Sequence, residues 1–158
     1  MTTLTAKGMK ALQYSGPSGN KSVIRGNFTT NASGVAANQS DLATAVQIND
    51  VARLAFLPAG TVLDDAVAIV SDAFAASTTA DIGFLYADGV DSSAVPQNAA
   101  FFFSGLATSS TGRTRTTAVN APVTLPKDAY LTLTRKGAAD SAVGIVDVLV
   151  DCVLRGPA

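Results

Sequence analysis

The chain has 158 residues and is 47% hydrophobic, a size that suits one domain burying about 70% of its unfolded surface and leaves no room for a second independent core. A formal charge of -1 and a pI near 5.1 set up no field that would gather nucleic acid or anionic lipid from a distance. His, Trp and Glu are absent, every acidic residue is Asp, and the lone Cys152 excludes an intrachain disulfide and the two-cysteine zinc and redox motifs.

Asp favours turns and caps where Glu favours helices, and with abundant Thr, Val, Ala, Ser and Gly the balance points to strands joined by turns. Met1–Lys10 lacks an apolar signal core and no apolar run reaches the ~18 residues that span a bilayer, so synthesis in the cytosol and no membrane partner are expected. The four Asn-x-Ser/Thr sequons, at Asn20, Asn27, Asn31 and Asn38, are then products of composition.

Residues 1–20 carry isolated apolar residues, Leu4, Met9, Leu12 and Tyr14, among lysines and end in a Gly-Pro-Ser-Gly turn. They read as an N-terminal arm docking on a neighbour, ahead of a domain over 21–158. In Lys21–Thr30, Ile24 and Phe28 share one face of an extended strand, opposite Arg25, Asn27 and Thr29. Val46, Ile48, Leu54 and Phe56 share a parity that Asp50 breaks, and a bulge near Asn49–Asp50 would repair it.

After the Pro58-Ala59-Gly60 turn, TVLDDAVAIVSDAF is open to two readings. Asp64 caps a helix lined by Val67, Val70 and Phe74, or Val62, Val67, Ile69 and Val70 form a strand buried on both faces; the strand is preferred. Ile82, Phe84 and Tyr86 alternate before an Asp88-Gly89 turn, and Leu131 and Leu133 alternate with Tyr130, Thr132 and Thr134. At the end, Val146, Val148, Val150, Cys152 and Leu154 oppose Ile145, Asp147, Leu149 and Asp151. Seven or eight short strands with turns between them point to an all-β sandwich.

The sequence offers little for catalysis. Acid–base chemistry near neutral pH draws chiefly on His or on shifted Glu, both missing here, and the neighbours Asp64 and Asp65 would point to opposite faces of a strand. Ser18 lies in GPSGN, outside any nucleophile elbow, and no Walker A lysine loop or G-x-G-x-x-G turn occurs. Asp88 and Asp91 are spaced as in a calcium loop but lack its other ligands, which favours an ordinary turn. No cofactor and no metal are expected. Arg113 and Arg115 share a strand face on which they either stay solvated or clamp a partner's carboxylate. Cys152 shares the core parity of β residues around it and reads as a filler. Phe101, Phe102 and Phe103 cannot all be buried against one sheet unless it turns or is covered, so they either plug the core or meet a subunit.

The arm with GMKALQYSG, the segment VARLAFLPAGTVLDDAVAIVSD, then ADIGFLYADG, FFFSG and the closing VGIVDVLVDCVLR resemble, in order and pattern, the head-decoration or cement proteins of tailed bacteriophages, over most of Val46 to Arg155. The resemblance implies a jelly-roll-like antiparallel β-sandwich with an extended N-terminal arm, and a strand after the proline-glycine turn. It also implies a non-enzymatic virion protein on the outer surface of the capsid, bridging subunits of the major capsid protein and associating with copies of itself as a dimer or trimer, without direct contact to nucleic acid. Leu4, Met9, Leu12, Tyr14, Phe101, Phe102, Phe103, Arg113 and Arg115 are the expected partner contacts. Rival readings are a phage tail, neck or fibre component and a carbohydrate-binding sandwich.

Overall fold

Ten strands and no helix occur among the residues that the computed structural model describes, namely 3–5, 21–38, 43–116 and 118–154. They are β1 (Thr3–Thr5), β2 (Lys21–Thr30), β3 (Val51–Leu57), β4 (Thr61–Asp72), β5 (Thr79–Tyr86), β6 (Asn98–Ala107), β7 (Gly112–Arg115), β8 (Val123–Thr124), β9 (Ala129–Lys136) and β10 (Gly144–Leu154). One sheet has the order β1-β3-β9-β5-β6 and the other β2-β10-β4-β7, with β8 continuing the pairing along β4. All ladders are antiparallel except β1 with β3.

Leaving aside the short β1 and β8, the pairing is nested. The first strand joins the last (β2 with β10), the second the last but one (β3 with β9), the third β4 with β7, and the innermost pair is the β5–β6 hairpin. A long hairpin wound round a barrel-like core in this way is a jelly roll, in which the two sheets bury each other's inner faces. The expected all-β antiparallel sandwich is therefore the one observed.

The inner faces follow the alternation of the sequence. Val146, Val148, Val150 and Cys152 on β10 are all fully buried, facing Leu131, Leu133, Ile82 and Phe84 of the other sheet's core row. Gly26 interrupts the inward row of β2 between Ile24 and Phe28 because a Cβ there would sit 2.6 Å from Leu54 Cβ, so β2 passes directly over β3. The same segment of the sequence that admitted helix or strand is the strand β4, and its mixed pattern has a cause. Asp151 pairs with Asp65 and Cys152 with Leu63, so Asp64 is the extra residue of a bulge that switches the inward parity from Thr61 and Leu63 to Ala66, Ala68 and Val70.

Two expectations need correction here. The strand extended back to Val46 with a bulge at Asn49–Asp50 is instead a tight turn, with Asn49 at φ 70°, the Asp50 amide donating to Gln47 O and Asp50 Oδ2 accepting from the Gln47 amide. Ile48 is left exposed, β3 begins at Val51, and the bulge falls at Leu54, after which Ala55 and Leu57 face inward and Phe56 meets Tyr130 edge-on on the outer side. The second concerns Asp64 and Asp65: the bulge brings both carboxylates to the outer face, where simple alternation would have opposed them.

One end of the sandwich is closed around a buried ion pair. Continuing the inward row of β9, Arg135 has no solvent exposure; its Nε and Nη2 lie 2.9 Å from Asp140 Oδ2, and Nη1 donates to Thr108 Oγ1 at 2.8 Å. Its guanidinium carbon is 4.5 Å from the Phe74 ring centre and 5.6 Å from that of Phe28, the two rings themselves stacking. The Asp140 amide donates to Val46 O, and Gly34, at φ 74°, packs so tightly on the Asp140 carbonyl that a Cβ would stand 2.1 Å from it. Removal from water pushes the Asp140 carboxyl up to about 6, with the Arg135 charge pulling the other way.

Because removing one member of a buried pair leaves the other uncompensated, Arg135→Met is expected to lower the unfolding free energy by about 3–5 kcal/mol, read from denaturant midpoints, and a variant replacing both residues by apolar ones should recover much of that loss. The native carboxyl holds its proton to a higher pH than the unfolded chain does, so its contribution to stability grows as pH falls from about 6 towards 3.8. Asp140→Asn should remove that component, giving a slope of thermal midpoint against pH across this window that is more positive than in the unaltered protein.

Candidate assembly surface

The outer face of the β2-β10-β4-β7 sheet carries both of the arginines singled out in the sequence. Cross-strand register sets two rows side by side: Arg25, Leu149, Val67 and Arg115 in one, Asn27, Asp147, Ile69 and Arg113 in the next. Half-buried aliphatic side chains thus occupy the middle of the face together with carboxylates, while the cations stand on the two edge strands.

Most of these cations are tied to the central carboxylates. Arg25 Nη2 and Nε meet Asp147 Oδ1 at 2.8 and 3.1 Å, Lys21 Nζ lies 3.3 Å from Asp151 and 3.4 Å from Asp64, and Arg115 pairs with Asp65. The hydrogen bonds to Asp151 and then Asp64 raise the Lys21 pKa, and that to Asp65 raises the Arg115 pKa. Arg113 makes no ion pair or hydrogen bond among the described residues and stands free on the face.

The sheet edges differ in how they are protected. β1 covers β3, with Leu4 in register with Ala52. Along β6, Thr116 Oγ1 donates to Phe102 O and Asn120 Nδ2 donates to Phe101 O, at 2.5 and 2.7 Å. On β2, Asn38 Oδ1 accepts from the Thr29 amide and its Nδ2 donates to Asn27 O, each at 3.1 Å. Those bonds also fix the backbone's direction: odd-numbered residues of β2 turn their amides and carbonyls away from β10. The groups of Val23 and Arg25 therefore face outward, with no partner among the described residues.

The remaining sequence-predicted sites resolve individually. Phe101, Phe102 and Phe103 are 8, 1 and 4% exposed, which corrects their assignment as partner contacts. Irregular pairing of β6 with β5 turns the segment so that Phe101 packs edge-on to Phe84 and to Phe102, and the Thr116 and Asn120 bonds close it from outside. Met9, Leu12, Tyr14 and Ser18 lie outside the described residues. Asp88 accepts from the Val90 amide and from Lys127, which lowers its pKa, and Asp91 accepts from the Ser92 and Gln97 amides, so both serve their turn. Cys152 is buried, and burial pushes its thiol up to about 11, far from the thiolate needed for reactivity at neutral pH. What sequence reasoning missed is the open edge at Val23; the signal was an apolar residue on the polar side of an otherwise alternating strand.

This fold is shared with chains from phage capsids. A chain from the capsid of Ralstonia phage GP4 superposes with a TM-score of 0.67 at 13% identity, over 99% of this chain and 100% of that one. A chain from the capsid asymmetric unit of cyanophage Pam1 gives 0.59 at 18% identity, over 88% of each. No family model and no curated protein matches the sequence.

Ion pairs this exposed gain little, since water and salt screen them and side-chain entropy opposes them. Arg25→Ala, Arg113→Ala and Arg115→Ala should each leave the urea midpoint almost unchanged, so that any effect of these variants on association reads directly on the surface.

Proposed function

We propose that this protein is a structural component of a bacteriophage virion, one that decorates the outer surface of the capsid and bridges subunits of the major capsid protein. The observation that carries the reading is the structural match to a chain of a phage capsid over 99% of this chain and 100% of that one. The order of sequence elements resembles head-decoration proteins independently of that match.

The surface suits such a role on physical grounds. A sheet face that mixes half-buried aliphatic groups with exposed ion pairs gives weak contacts, and a lattice of identical sites multiplies weak contacts through avidity. Association with further copies of the chain would raise that gain. No chemistry at the surface is needed for it.

Mixing purified protein with expanded shells that lack it should give saturable binding, seen as co-sedimentation and as added density on the outer surface by electron microscopy. Absence of binding at every salt concentration would overturn the reading. Closed shells formed by the protein alone would reassign it as the shell-building subunit, and rings or tubes formed alone would move it to the tail or neck.

A further inference from the structure

We infer that the open half of β2, Lys21 to Arg25, is a docking edge for an extended acidic segment of a neighbouring chain, which adds to the β2-β10-β4-β7 sheet as a further strand. This rests on the assembly role proposed above and specifies its contact.

The backbone supplies the first half of the site. Asn38 caps this edge only at Asn27 and Thr29, leaving the outward amides and carbonyls of Val23 and Arg25 in a straight, paired strand with nothing across from them among the described residues. A strand laid alongside gains main-chain hydrogen bonds whatever its sequence, and selection falls to the side chains at alternate positions. Elsewhere the chain covers its long edges, with β1 on β3 and with Thr116 and Asn120 on β6, so the opening at β2 stands out against protected neighbours.

The side chains supply the second half. Lys21, Val23 and Arg25 project on one face at period two, and Val23 is 58% exposed. The lysine's contacts to Asp64 and Asp151, at 3.4 and 3.3 Å, are long. Arg25 engages Asp147 through Nε and Nη2, leaving Nη1 uncommitted among the described residues. Opposite charges directly across a ladder are favourable and like charges are not, so the fitting strand reads acidic, apolar, acidic at alternate positions.

A second copy's β2 fits poorly wherever it pairs along the whole open stretch. Antiparallel pairing centred on Val23 sets Lys21 against Arg25, and pairing centred on Arg25 opposes two guanidinium groups. Centring between them carries the partner into the Asn38 cap. The sheet's opposite edge, β7, also unpaired on its outer side among the described residues, presents Arg113 and Arg115, which again meet cations. Self-pairing over the full stretch is thereby disfavoured while an acidic strand is welcomed.

The test is amide hydrogen exchange of the full chain, free and bound to shells that lack it. On binding, the Val23 and Arg25 amides should slow at least tenfold, whereas Ile24, whose amide already faces β10, should change little. Val23→Pro removes an outward amide that no bond among the described residues uses, so it should keep its thermal midpoint and lose at least tenfold in shell affinity; Lys21→Gln with Arg25→Gln should weaken binding similarly and flatten its salt dependence. If the unaltered protein binds while the Val23 and Arg25 amides exchange as in the free state, the docking edge is wrong and the assembly role stands. If it does not bind at all, the assembly role fails first and the edge with it. Should Val23→Pro unfold, the exchange measurement on the unaltered chain still decides.

Discussion

The pairing of β2 with β10 is the contact on which everything else in this molecule hangs. Ten residues of the first sandwich strand lie in register with the last, and the row that β10 turns inward from that ladder is without solvent exposure from Val146 to Cys152. Every other strand of the jelly roll is enclosed between these two in sequence, so until they meet the two sheets have no fixed relation. Bringing the chain's ends together costs loop entropy before the core repays it, which places this fold among those that form slowly from non-local contacts.

Closing the wrap also explains why a charge sits in the core. At the end of the sandwich where β9 leaves its sheet, the turn at Gln47–Asp50, the loop at Gly34 and the connection from β9 to β10 converge on Arg135 and Asp140. Loop backbones brought together in the interior need polar partners. A guanidinium resting against a stacked pair of phenyl rings offers donors in several directions while keeping apolar contact, a combination no aliphatic residue provides. The price is a carboxyl held away from water, visible in the raised Asp140 pKa.

Legibility in the sequence followed regularity of pairing. β2 and β10 could be read residue by residue because their mutual ladder is unbroken and one face of each is core. β4 was ambiguous for the opposite reason: the extra residue at Asp64 shifts parity in mid-strand, and beyond it aliphatic residues stand on both faces, Val67 and Ile69 outward and Val70 inward, so no clean alternation remains. The bulge at Leu54 moved the inward row of β3 in the same way, and the positive φ of Asn49 made a turn where alternation suggested continuation. Arg135 was invisible because an arginine at a strand end is ordinarily solvated. Only the parity it shares with Leu131 and Leu133, with an aspartate soon after, hinted otherwise.

The division of labour between the two sheets follows from where irregularity was spent. The β1-β3-β9-β5-β6 sheet carries the bulged β3 and β6 and the added β1, and its long edges are closed within the chain. The β2-β10-β4-β7 sheet confines its bulges to the inner β4–β10 ladder and keeps β2 straight, with an open outer face and an edge half open among the described residues. A regular edge is the feature that invites an added strand, and cations along it select which strand is accepted. Had Lys21 and Arg25 been apolar, the exposed Val23 would have made this edge a site for indiscriminate self-association. Charge placed on the sticky edge turns a liability common to β-proteins into a selective contact, and it does so at little cost to stability because the same cations already neutralise the aspartates at the centre of the face.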